Sequence, residues 1–125
     1  MEAPDSDPVN PLIVEITRNV IEEVKMLASR EAQLQYEIGV PIANVPLELV
    51  CGWDLFEINR QDLIIHLRPD QLQSLLEIED AMKHYLAADD YLKIYSVAEL
   101  HVHHRWSGVI TAAAKALPLF ELGTG

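Results

Sequence analysis

Apolar side chains recur at helical spacing in three stretches of this chain. Between residues 11 and 38 they return every seven positions, and in 69–87 and 96–117 they follow at steps of three and four. Such spacing places the apolar side chains on one face of a helix. The pattern therefore predicts three main helices, spanning about 11–38, 69–87 and 96–117.

Capping residues support these boundaries. Asn10 is a favourable N-cap for the first helix, and Gly39 suits the position that follows its last turn. Ser96 and Glu99 have the capping-box spacing, in which each side chain accepts a hydrogen bond from the other residue's backbone amide. Pro118 is predicted to end the third helix, because proline lacks the amide hydrogen that a helix interior uses.

Residues 53–67 show a different pattern. Two apolar runs, at 53–58 and 63–67, have the length of strands and are separated by the polar tetrapeptide 59–62, which is typical of a turn. We predict a short β-hairpin here, so the predicted fold class is α+β and helix-dominated. Because short helices fit the same residues, an all-α bundle is the alternative.

The length and composition of the chain indicate one domain. With 125 residues, half of them apolar, residues 10–125 are expected to form a single compact domain. Residues 1–9 are acidic and contain prolines, which predicts a flexible tail rather than a signal peptide. No uncharged apolar run approaches the roughly 18 residues that a membrane span needs. We therefore expect a cytoplasmic protein that does not associate with membranes.

The charge balance favours a protein partner. Nine lysines and arginines face twenty aspartates and glutamates, for a formal net charge of −11. This excess repels nucleic acid phosphates and attracts basic proteins. Cys51 is the single cysteine, which excludes an intramolecular disulfide and a cysteine-rich zinc site. Serine hydrolase elbows and nucleotide-binding glycine loops are also missing from the sequence, which favours a binding protein over an enzyme.

The first functional hypothesis is a non-enzymatic acidic module that engages a basic protein, such as an inhibitor, an immunity-type neutraliser or a small chaperone. Its predicted docking surface lies in the densest acidic stretch and includes two tyrosines suited to an interface. The predicted partner-binding residues are Glu77, Glu79, Asp80, Asp89, Asp90, Tyr91 and Tyr95. Glu22 and Glu23 also supply carboxylates, but nothing in the sequence places them in a pocket.

A second hypothesis concerns the histidines. On a helix at 100° per residue, His101 and His104 lie about 60° apart, whereas His103 points elsewhere. Asp80 and His84 stand four apart on the second predicted helix. The set Asp80, His84, His101 and His104 would suit zinc or another divalent metal, in a metal-binding protein or a metal-dependent enzyme. If no metal binds, no cofactor is expected, and these histidines simply lie on a polar face of their helix.

A third hypothesis is self-association through the first helix. Ile13, Val20, Leu27 and Leu34 recur at intervals of seven, which is the spacing of a helix–helix interface. This stripe predicts a homodimer that acts as a structural or assembly component, and it is compatible with a binding module.

Overall fold

The computed structural model describes residues 11–40, 44–88 and 90–121. These residues form eight α-helices, a single 3-10 turn at Tyr91–Lys93, and no β-strand. The helices are α1 (Pro11–Ala28), α2 (Arg30–Gly39), α3 (Val45–Gly52), α4 (Asp54–Ile58), α5 (Arg60–His66), α6 (Pro69–Leu86), α7 (Val97–His101) and α8 (Trp106–Glu121). The predicted tail, residues 1–9, lies outside the described residues.

The predicted β-hairpin at 53–67 is wrong, because this segment forms α4 and α5. Trp53, Phe56 and Leu63 lie three and seven positions apart and are all buried, so the apolar pattern serves a helical face. Asn59 joins the two helices: its amide donates to the Leu55 carbonyl (3.3 Å), and its carbonyl accepts from the Leu63 amide (3.1 Å). The α+β prediction is therefore replaced by the all-α alternative.

The predicted helix over 11–38 is divided in two at Ser29. This residue has extended backbone angles (φ −126°, ψ 112°), and its hydroxyl accepts a hydrogen bond from the Ala32 amide at 3.0 Å. Ser29 is thus the N-cap of α2, a role that serine fills well. The second helix ends at Gly39, one residue beyond the predicted boundary, so Gly39 is its last helical residue rather than the residue that follows it.

The predicted helix over 96–117 is also divided. The capping box of Ser96 and Glu99 is confirmed: the Ser96 hydroxyl accepts from the Glu99 amide (3.1 Å) and the Glu99 carboxylate accepts from the Ser96 amide (3.2 Å). However, α7 ends at His101, and α8 begins at Trp106 after a short turn. The histidine-rich stretch therefore lies on a helix end and a turn, not within one long helix.

Pro118 does not end α8, contrary to prediction. The helix continues to Glu121 with Pro118 inside it. Arg68 and Gln71, at the start of α6, donate side-chain hydrogen bonds of 3.0 and 3.3 Å to the Leu119 carbonyl. These contacts hold the last turn of α8 against α6 and satisfy one of the carbonyls that a helix end leaves without an intrahelical partner.

The core lies where α8 packs against both α1 and α6. The second predicted helix, over 69–87, is confirmed as α6, which ends one residue earlier. Buried residues of all the α-helices but α2 form one hydrophobic cluster, which includes Val24, Leu27, Leu75, Ile78, Tyr85, Trp106, Val109 and Ala113. None of the described helices combines the length and the apolar character of a membrane span.

Candidate functional site

His101 takes part in a buried polar contact between α7 and α2. Its Nε2 lies 2.8 Å from Gln33 Oε1. Burial, together with the nearby Arg30 charge, lowers the pKa of His101, and Glu37 opposes this shift. The neutral ring therefore donates a hydrogen bond within the fold.

Gln33 connects three helices through its side-chain amide. The residue is fully buried, and its Nε2 donates to the carbonyls of Met26 (3.0 Å) and Leu27 (3.2 Å) at the end of α1. Its Oε1 also accepts from the Trp106 indole at 3.3 Å. A buried polar group that lacks a hydrogen-bond partner destabilises the fold. His101 supplies a partner to the buried Gln33 side chain, so its role in this network is structural. Gln33 gave no signal in the sequence, because it occupies a buried helix position where an apolar residue is usual.

His103 is held by both of its ring nitrogens. Nδ1 accepts the Arg105 amide at 3.2 Å, so Nε2 carries the proton and donates to Asp90 Oδ1 at 3.0 Å. This hydrogen bond lowers the pKa of Asp90. The His103 ring stacks on His104, with centroids 5.1 Å apart. No lone pair of His103 remains for a metal or for proton transfer.

The predicted metal set is not assembled. Asp80 and His84 are exposed on α6, His101 faces Gln33, and His104 stacks on His103. Across residues 11–40, 44–88 and 90–121, no three histidine, cysteine, aspartate or glutamate side chains are placed to hold a metal ion. These four residues therefore do not form the predicted site.

Glu79, one of the predicted docking residues, is buried rather than exposed. Only 3% of it is accessible, and its carboxylate forms an ion pair with Arg60 of α5. Burial, and a hydrogen bond with Glu57, raise the pKa of Glu79, while Arg60 opposes the shift. The Arg60 guanidinium also lies 5.4 Å from the centre of the Phe56 ring. Glu79 thus links α6 to α5.

The other predicted docking residues are divided between structural and exposed positions. Tyr91 packs edge-on against Tyr85 at 6.2 Å, and Asp90 is bound to His103. Glu77, Asp80 and Tyr95 are exposed, and so is Asp90, whose carboxylate is held by His103. Asp89 lies outside the described residues. The predicted surface is therefore smaller than the sequence suggested.

The predicted self-association stripe lies mostly inside the chain's own core. Val20 and Leu27 are 2% and 0% accessible, and Ile13 is half-buried. Leu34, which is exposed, belongs to the separate helix α2. The four residues do not share one outer face, because the helix is interrupted between Leu27 and Leu34.

A cleft lined by carboxylates lies among α1, α2 and α3. Its volume is about 310 Å³, at the small end of the range for ligand sites. One face of α1, the ring of Tyr36 and the second half of α3 form its walls. The lining residues are Asn19, Glu22, Glu23, Met26, Tyr36, Glu48, Leu49 and Gly52.

Glu23 lies against the end of α3. A Cβ atom at Gly52 would stand 2.7 Å from Glu23 Cδ and 2.8 Å from Glu23 Oε1, so glycine makes room for the carboxylate. Burial raises the pKa of Glu23 to about 7. Near neutral pH this side chain is therefore divided between its charged and protonated forms.

The charge of the cleft is not balanced within the described residues. Lys25 reaches Glu22 at 3.4 Å, but neither Glu23 nor Glu48 has an ion-pair partner there. Most cations are used elsewhere: Arg18, Arg60, Arg68 and Lys115 pair with other acids, and Arg30 and Arg105 donate to backbone carbonyls. The cleft can therefore accept a positive group from outside.

The sequence contained only part of the signal for this cleft. Asn19, Glu22, Glu23 and Met26 share a face of α1, which helical spacing reveals. The opposite wall comes from α3, at residues 45–52, for which the sequence predicted no defined element. Comparison with known protein families, curated proteins and solved structures finds no match to this chain.

Proposed function

We propose that this protein is a non-enzymatic binding module that recognises a basic protein and receives one of its lysine or arginine side chains in the carboxylate-lined cleft. One observation carries the proposal: Glu23 is a partly buried carboxylate, in a cleft shared with Glu22 and Glu48, and none of the described residues forms an ion pair with it. A positive side chain from a partner would supply the missing counter-charge.

The composition of the cleft suits a cationic side chain. Carboxylates form charge-assisted hydrogen bonds with ammonium and guanidinium groups, which are stronger than hydrogen bonds between neutral groups. The Tyr36 ring and the Met26 side chain offer apolar contact for the methylene stem of such a side chain. Aromatic rings also attract cations directly.

The overall charge favours the same kind of partner. A formal net charge of −11 accelerates encounter with a basic protein at low ionic strength and weakens encounter with an acidic one. Inhibitor, immunity-type and chaperone roles are all compatible with such binding. The absence of a free imidazole lone pair at the His103–Asp90 pair also favours binding over acid–base catalysis there.

The test compares two double variants that change the formal net charge equally. Glu23→Gln with Glu48→Gln removes charge from the cleft, and Glu77→Gln with Asp80→Asn removes it from the exposed part of the predicted docking surface. Each tagged protein is used to capture basic partners from a lysate of the source cells, and each captured partner is then titrated in purified form against the wild-type protein and both variants.

We expect a basic partner whose affinity falls at least about tenfold in the cleft variant and stays within about twofold in the other. A loss of affinity only in the Glu77 and Asp80 variant would show that the interface lies on α6 and would overturn the cleft proposal. Equal losses in both variants would show that net charge alone attracts the partner. Unchanged affinity in both would also contradict the proposal.

A further inference from the structure

A second concave surface lies beside the cleft, between α1 and α5. This α1–α5 groove has a volume of about 460 Å³. Its lining residues are Val14, Thr17, Arg18, Ile21, Glu22, Lys25 and His66. All but His66 belong to α1, so the groove runs along one side of that helix.

Several polar groups of the groove already have partners within α1. The Thr17 hydroxyl donates to the Ile13 carbonyl at 2.8 Å, and Arg18 contacts Glu15 at 2.7 Å. Lys25 contacts Glu22 at 3.4 Å. With these groups engaged, the surface that the groove offers to another molecule is chiefly apolar.

Val14 and Ile21 provide that apolar surface. Val14 is exposed and Ile21 is half-buried, and they lie seven residues apart on the same side of α1. The adjacent helix α5 also exposes Ile64 and Ile65. Exposed apolar side chains grouped in this way often mark a site of interaction.

Glu22 lines both the groove and the cleft. On α1, the residues of the groove centre on Val14, Ile21 and Lys25, whereas the cleft residues centre roughly 130° further round the helix. One partner segment can therefore reach both cavities by crossing Glu22.

Resting on the proposed function, we infer that the partner presents a basic amphipathic segment, which places an apolar side chain in the α1–α5 groove and a lysine or arginine side chain in the cleft. Charge complementarity selects this occupant. Among the residues that the structure describes, Arg18 and Lys25 of the groove are paired with acids, while Glu23 and Glu48 of the cleft have no ion-pair partner. The attraction across the joint surface is therefore for positive charge.

Two synthetic peptides of equal length and equal charge test this inference. The first places arginine and leucine on opposite faces of a helix, and the second replaces every leucine with glutamine. Both are labelled with a fluorophore, and dissociation constants are measured by anisotropy with the wild-type protein. We expect the amphipathic peptide to bind about tenfold more tightly than the polar peptide.

Two variants of the protein then show whether the difference in affinity between the peptides arises at the groove. Val14→Ser should weaken the amphipathic peptide roughly fivefold and leave the polar peptide unchanged, because it removes apolar surface only from the groove. Val102→Ser, at a position 84% exposed in the turn after α7, is the matched control and should change neither affinity. Thermal melting of both variants verifies that each remains folded.

The outcomes separate this inference from the proposed function. Equal affinity of the two peptides, or equal weakening of both by Val14→Ser, would overturn the role of the groove while the cleft proposal stands. Failure of both peptides to bind the wild-type protein, or binding that Glu23→Gln with Glu48→Gln does not weaken, would overturn both.

Discussion

Two partly or fully buried glutamates of this protein, Glu79 and Glu23, have opposite surroundings. Glu79 lies on α6 and forms an ion pair with Arg60, so its charge is balanced inside the fold. Glu23 lies on α1 beside Gly52, and the described residues supply it with no cation. In both cases burial raises the pKa of the carboxyl group.

The difference separates a structural carboxylate from a candidate binding carboxylate. A buried charge that has a partner holds two elements together, and removing that partner is costly. A partly buried charge without a partner is unfavourable for the fold, but it becomes favourable when a ligand supplies the opposite charge. The comparison therefore predicts opposite effects on stability when the two sites are altered.

The largest effect is expected from Arg60→Met. This change leaves the buried Glu79 carboxylate without its ion-pair partner, and we expect a loss of about 3 kcal/mol in the free energy of unfolding at pH 7. Chemical denaturation measures it. The control is Arg18→Met, which breaks an exposed pair with Glu15 and should cost less than about 1 kcal/mol. Equal losses would show that Glu79 does not depend on Arg60.

Glu23→Gln should instead increase the free energy of unfolding. Because the folded-state pKa of about 7 lies above the ordinary value of 4.5, the stability that protonated Glu23 contributes is complete below about pH 4.5 and is lost as the pH rises through 7. Glutamine resembles the protonated form at every pH. Allowing for partial exposure, we expect the variant to be more stable than the wild type by about 1–2 kcal/mol at pH 8.

Thermal or chemical unfolding at pH 4.5 and pH 8 measures this difference, which should nearly vanish at the lower pH. Glu48→Gln serves as the control, since its exposed carboxylate lines the same cleft. A Glu23→Gln variant that is less stable than the wild type at pH 8 would show that the charged carboxylate stabilises the fold.

The smallest effect on stability is expected from Gly52→Ala. The new Cβ displaces the flexible end of Glu23 without removing its charge. Alanine also favours the helix, so the free energy of unfolding should change by less than about 0.5 kcal/mol. Affinity for the amphipathic peptide should nevertheless fall severalfold, as measured by anisotropy. Unchanged affinity would mean that the position of this carboxylate is unimportant for binding.

Local signals in the sequence predicted part of this fold. The capping box at Ser96 and Glu99 depends on two side chains three residues apart, so it was recognisable without the structure. The helix α6 was equally clear from its apolar spacing. The break at Ser29 could not be recognised from the sequence, because the seven-residue spacing continues from Leu27 to Leu34 across it.

The parts of the fold and of the cleft that the sequence did not predict depend on long-range contacts. Whether residues 53–67 form strands or helices depends on which face the core buries, and a short apolar run fits both. The pairing of Glu79 with Arg60 joins residues 19 positions apart, and Gln33 meets Trp106 across 73. The cleft needs α1 and α3 together, so Glu23 could not be distinguished from any other carboxylate on a helix.

The most direct test of the central claim is the pH dependence of binding. The arginine-containing amphipathic peptide is titrated against the wild-type protein and Glu23→Gln at pH 6 and pH 8. Since a cation binds the charged form of Glu23, the wild-type affinity should rise about tenfold over this interval. Glu23→Gln keeps Glu22, Lys25, Tyr36 and Glu48, which surround the same position, and should show no such rise. Equal pH dependence in both proteins would contradict the claim that Glu23 receives the partner's positive charge.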